Sequence, residues 1–150
     1  MESYEKNHVR NKIVGTWRLI SYEIMDHHGH SRYPLGEESA GILVYDRQGN
    51  MTGQMMKAKR HRYASDDMRK GTSEEMASAI KSYLAYFGKY SIDENNQSVT
   101  HIVEGSLFPN WVGTHQTRFF RFTRDTLVLS AGFNAGGKEH TAILTWKRTK

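Results

Sequence analysis

The chain has 150 residues, no Cys and a formal net charge of +5. Apolar residues at 37% and aromatics at 11% are enough for one folded domain with a core or a pocket, and they argue against a disordered chain. The lack of Cys excludes a disulfide scaffold, iron–sulfur ligation, thiolate zinc and a Cys nucleophile.

No stretch reaches the ~18 apolar residues that span a bilayer, and the first seven residues lack the apolar run of a secretion signal. The expectation is a cytoplasmic protein that does not enter membranes. The modest positive excess favours acidic partners, among them carboxylate ligands.

The first dozen residues are polar and read as an arm or lead-in helix. Residues 14–25, VGTWRLISYEIM, are rich in β-branched and aromatic side chains and predict a strand. A turn at Asp26–His30 and a second break at Tyr33-Pro34-Leu35-Gly36 follow. Gly41–Tyr45 and Met51–Met56 read as a hairpin about Asp46-Arg47-Gln48-Gly49-Asn50. Lys57–Gly71 is highly charged and reads as a solvated loop or lid.

Thr72-Ser73-Glu74-Glu75 matches a capping box. Met76, Ile80, Tyr83, Leu84 and Phe87 then recur at helical spacing, with Gly88 as the stop, although residues 86–93 also read as the start of a strand. Period-two patterns return at Gly88–Asp93, Ser98–Gly105, His115–Thr123, Thr126–Ala131 and His140–Arg148, with turn residues between them, including Gly132–Gly137. About eight strands joined by short turns predict a mainly β, antiparallel up-and-down barrel with one helical insertion.

Gly15-Thr16-Trp17 opens the first strand and Arg148 ends the last. Barrel closure would bring them together, with the guanidinium on the indole. This pairing resembles the lipocalin, or calycin, signature. Further segments are similar to the bacterial and fungal lipocalin-like domain family: Pro34-Leu35-Gly36, Gly41–Tyr45 with Gly49-Asn50-Met51, Tyr86–Tyr90, and above all VTHIVEGSLFPNWVGTHQTRFF at 99–120. The resemblance implies a β-barrel with an internal cavity and leaves the activity open. The resemblance also implies a link, for some relatives, to secondary-metabolite pathways, where lipocalin-like barrels can act as cofactor-free isomerases or cyclases. Typical secreted lipocalins carry Cys pairs that this chain lacks, which argues against an extracellular carrier.

Strand alternation supplies the candidate site. Gln116, Arg118, Phe120 and Phe122 share one face, and Ala142, Leu144, Trp146 and Arg148 share another that should point inward. An inward Arg118 requires a partner, either a ligand acid or carbonyl, or a structural ion pair with Glu104 or Glu23. His101 shares a face with Val99 and Val103, and reads either as a core histidine or as a catalytic acid/base. Tyr45, Met55, Tyr90 and Trp111 are candidates to line the same pocket; Trp111 could instead plug the barrel end.

His27, His28 and His30 lie in a turn without rigid support, so no metal is expected, and no cofactor motif occurs. Lys57–Tyr63 could contact phosphates, but Asp66 and Asp67 follow at once and no nucleic-acid motif accompanies the run. Two functions compete. In the first, the barrel binds a small, largely apolar ligand with a carbonyl or carboxylate group. In the second, it is an isomerase, cyclase or lyase, with His101 as general acid/base and Arg118 stabilising an enolate. The sequence leaves the oligomeric state open, a homodimer included.

Overall fold

A computed structural model describes residues 2–149. Helix α1 (Glu2–Ile13) leads into β1 (Gly15–Met25), the two-residue strand β2 (Ser31–Arg32), β3 (Ser39–Tyr45) and β4 (Asn50–Lys57). A long connection carries a 3₁₀ turn at Met68–Lys70 and helix α2 (Ser73–Lys81). The strands β5 (Tyr83–Asp93), β6 (Ser98–Ser106), β7 (His115–Thr123), β8 (Thr126–Ala135) and β9 (Lys138–Arg148) follow. All pairings are antiparallel between neighbours in the chain, except that β3 skips β2 to pair with β1. The extra pairing of β1 with β9 closes eight of the nine strands into a barrel and leaves β2 as an appendage.

The closure is built as the sequence suggests. Arg148 lies 4.2 Å above the Trp17 ring, and its guanidinium donates to the carbonyls of Val14, at 2.9 Å, and Lys12. Gly15 has φ +139°, and a Cβ there would come within 2.6 Å of the Arg148 guanidinium. The glycine of the Gly-x-Trp segment therefore clears the path that the arginine takes to the indole. Trp17 is buried, and its indole N–H donates to the Ile13 carbonyl. This bond ties α1 across the closed end, where Val9 and Ile13 join the core.

β1 contains a bulge. Leu19 pairs with Trp146 but Ser21 pairs with Thr145, so Ile20 is the additional residue. Before the bulge, Trp17 and Leu19 face inward; after it, Tyr22 and Ile24 pair with Leu144 and Ala142 on the inner face. The parity of the strand has changed.

Two differences from the sequence reading have local causes. The helix stops at Lys81, and Tyr83, Leu84 and Phe87 belong to β5. Ser82 ends α2 by donating its hydroxyl to the Ser78 carbonyl at 2.7 Å, while its own carbonyl accepts from Lys57 N–H and begins the β4–β5 ladder. The last hairpin is longer than expected, because Gly136 and Gly137, both at positive φ, make a tight two-residue turn. The capping box is present, with Glu75 N–H bonding Thr72 Oγ1 at 3.1 Å and Thr72 N–H bonding Glu75 Oε1 at 2.9 Å. Its helix, however, buries none of its residues.

Candidate ligand cavity

The inner faces of β1, β4, β5, β7, β8 and β9 leave a cavity of about 480 Å³ open at one end of the barrel. Its walls are mostly apolar, from Ile24, Met55, Leu84, Ala142 and Leu144. Trp111, carried by the 3₁₀ turn between β6 and β7, stands at the mouth with its ring edge-on to Tyr86 at 5.4 Å. Met55, Leu84, Tyr86, Arg118 and Leu144 continue into a smaller chamber of about 30 Å³, walled also by His101, Leu129 and Trp146.

A row of three polar side chains backs the inner chamber. Tyr45 Oη lies 2.6 Å from His101 Nε2, and Tyr86 Oη lies 2.8 Å from His101 Nδ1. Tyr45 and His101 are each 1% exposed. Burial holds the imidazole neutral, with its pKa pushed down to about 3, and the nearby Arg118 charge adds to the effect. A neutral imidazole has one donor and one acceptor. The hydrogen-bond network assigns them, because His101 Nε2 is the one partner the buried Tyr45 hydroxyl has among the described residues. Tyr45 therefore donates to Nε2, Nδ1–H donates to Tyr86 Oη, and the Tyr86 O–H is left free for the cavity. Burial raises the pKa of Tyr86 despite the adjacent Arg118 guanidinium, so the phenol keeps its proton.

Arg118 sits beside Tyr86, and its guanidinium donates to the Thr117 carbonyl at 3.2 Å. Neither Glu104 nor Glu23 supplies the ion pair considered from sequence. Glu104 alternates outward from Val103, and the bulge at Ile20 turns Glu23 outward between Tyr22 and Ile24. Among the described residues, the salt bridges are confined to His30–Asp26 and Arg69–Asp67.

A family model described as a lipocalin-like domain matches residues 14–149. The chain belongs to that family. It is also 33% identical, over 106 residues, to the 4'-hydroxy-3'-methoxypropiophenone carrier protein ppsC of Aspergillus oryzae, a match covering 65% of this chain and 96% of that protein. No solved structure matches significantly.

Within this lipocalin-like barrel the residues singled out from sequence separate into two groups. Met55, Trp111, Gln116 and Arg118 are on the cavity wall, and His101 borders its inner end. Tyr45 lies behind His101. Tyr90 and Phe120 lie in the core rather than among the cavity residues; the Tyr90 hydroxyl donates to the Asp46 carbonyl at 2.5 Å, and Phe120 packs on Phe122. Reading residues 76–87 as helical concealed Tyr86. The signal was the alternation Leu84, Tyr86, Gly88, Tyr90 against the outward Lys89. Arg32 and Tyr22, which also line the cavity, were missed because β2 and the bulge carry no sequence signature.

The three-histidine turn is organised by Asp26, whose carboxylate accepts from the backbone N–H groups of His28 and His30 at 2.9 Å. Among the described residues, no three His, Asp or Glu side chains converge to hold a metal. In the basic segment 57–63, Arg60 is engaged internally: it bonds Ser82 Oγ and the Ala79 carbonyl, both at 3.0 Å, and stacks on Tyr83. Among the described residues, no helix is long and apolar enough to cross a membrane.

Proposed function

We propose that this barrel binds one small, largely apolar molecule whose hydrogen-bond-accepting head meets Tyr86 and Arg118, with Met55, Leu84, Leu144 and Trp111 around its body. The observation that carries the reading is the apolar-walled cavity of about 480 Å³ with Tyr86 and Arg118 at its inner end. The family and the carrier relative support a binding role, and that relative's name makes an aryl ketone a sensible first probe. Titration of the full chain with 4'-hydroxy-3'-methoxypropiophenone, followed by Trp fluorescence and native mass spectrometry, should show a one-to-one complex. Ala142→Trp, which fills the cavity, should abolish binding while circular dichroism stays unchanged. Undiminished binding by that variant would place the ligand elsewhere.

A catalytic reading is favoured by one feature, the adjacency of Tyr86 O–H and Arg118, since two donors at one point can stabilise a developing enolate. In that reading His101 orients Tyr86 and is not itself the acid or base, because both ring nitrogens are held by tyrosine hydroxyls. Deuterium exchange at the α-carbon of the bound ketone, followed by NMR, tests it. Exchange at the rate in buffer alone would discard it.

A further inference from the structure

The inner end of the cavity holds more donors than a carbonyl group can use. Arg118 lies there with no carboxylate within ion-pair distance among the described residues. Tyr86 presents its O–H. Trp146, 2% exposed, has a buried indole N–H with no acceptor among the described residues. No Asp or Glu is among the residues that line either compartment, whereas a second guanidinium, Arg32, stands with Tyr22 at the outer part.

A guanidinium in an apolar-walled recess is costly without an anion beside it. A ketone oxygen offers two lone pairs and no charge. A carboxylate offers two oxygens and about four acceptor sites, matches the planar fork of an arginine, and neutralises it. The second cation nearer the mouth adds a field of the same sign along the entry path.

We propose that the cavity selects carboxylates: a monoanionic acid on an apolar, aromatic-sized body, bound by Arg118 and Tyr86, in preference to the neutral carbonyl compound of the same skeleton. This rests on the binding role proposed above and narrows its ligand class.

The test is calorimetric titration of the full chain with two ten-carbon probes on the same ring, 3-(4-hydroxy-3-methoxyphenyl)propanoate and 4'-hydroxy-3'-methoxypropiophenone. The acid should bind about tenfold more tightly or better at pH 7. Arg118→Gln should bring the acid-to-ketone ratio close to one, and Arg118→Lys should retain part of the preference. Thermal melting checks that each variant folds, and the wild-type ratio decides by itself if the Gln variant does not. Equal or tighter binding of the ketone by the wild type overturns the inference while leaving the binding role intact. An acid preference that survives Arg118→Gln also overturns it. Binding of neither probe removes both the inference and the reading beneath it.

Discussion

His101 shows how burial decides what a side chain can do. In water an imidazole titrates near pH 6.5, the property that made this residue an acid/base candidate. Inside the barrel it stays neutral, with its pKa lowered to about 3 by loss of water and by Arg118, and both nitrogens are spent on Tyr45 and Tyr86. The stability consequence has a definite sign. Between pH 6.5 and about 3 the unfolded chain binds a proton at this position and the folded chain does not. Stability from this group is therefore complete above pH 6.5 and declines as the solution is acidified, by on the order of 1 kcal/mol per pH unit. Urea unfolding between pH 7.5 and 4.5 should show this slope in the wild type, and His101→Asn should flatten it. A slope unchanged in the variant would assign the acid sensitivity to other groups.

At the scale of elements, α2 and the barrel are only loosely dependent on each other. The capping box and the bond from Ala64 N–H to Glu75 at 2.8 Å hold the connection between β4 and β5 in place, yet Met76 and Ile80 of the helix remain exposed. Thr72→Ala should remove about 1 kcal/mol from the local stability of α2. Amide exchange in residues 62–81 should then accelerate while the global unfolding midpoint stays nearly constant. A matching fall in the global midpoint would show the helix to be part of the cooperative unit.

Strands and helix ends differed in how far the sequence revealed them. The period-two faces of β7 and β9 were readable because each strand runs without interruption past a one-sided core; Gln116 and Arg118 could be placed together on that ground alone. Tyr86 was hidden because Met76, Ile80, Tyr83, Leu84 and Phe87 fit a helical stripe. What ends it is the Ser82 hydroxyl on the Ser78 carbonyl together with the long-range bond from Lys57 N–H to the Ser82 carbonyl. The bulge in β1 depends on pairing with β9 and has no signature within β1 itself. Regular alternation from Trp17 would have put Glu23 indoors, whereas the bulge turns it outward.

For the whole molecule, closure is the central event. β1 and β9 share a long antiparallel ladder whose lower end is fastened by Arg148 on Trp17. Arg148→Ala should lower the free energy of unfolding by about 2–3 kcal/mol, since it removes the cation–π contact and leaves two carbonyls without their charged donor. Arg148→Lys should recover only part of this, for want of a planar group to lie on the indole. Denaturant titration of the three proteins checks the order. Equal stability of wild type and Ala variant would show that the ladder hydrogen bonds close the barrel unaided.

The extra residue at Ile20 has an electrical consequence. Were β1 regular throughout, Ser21 and Glu23 would turn toward the lumen, and the barrel would carry its own counter-ion for Arg118. By reversing the parity of the strand halfway along, the backbone turns that glutamate to the outer face of the barrel. The arginine's missing neutraliser is thus a matter of one bulge in a strand on the far side of the sheet, and any incoming acid finds a seat that the fold itself has declined to fill.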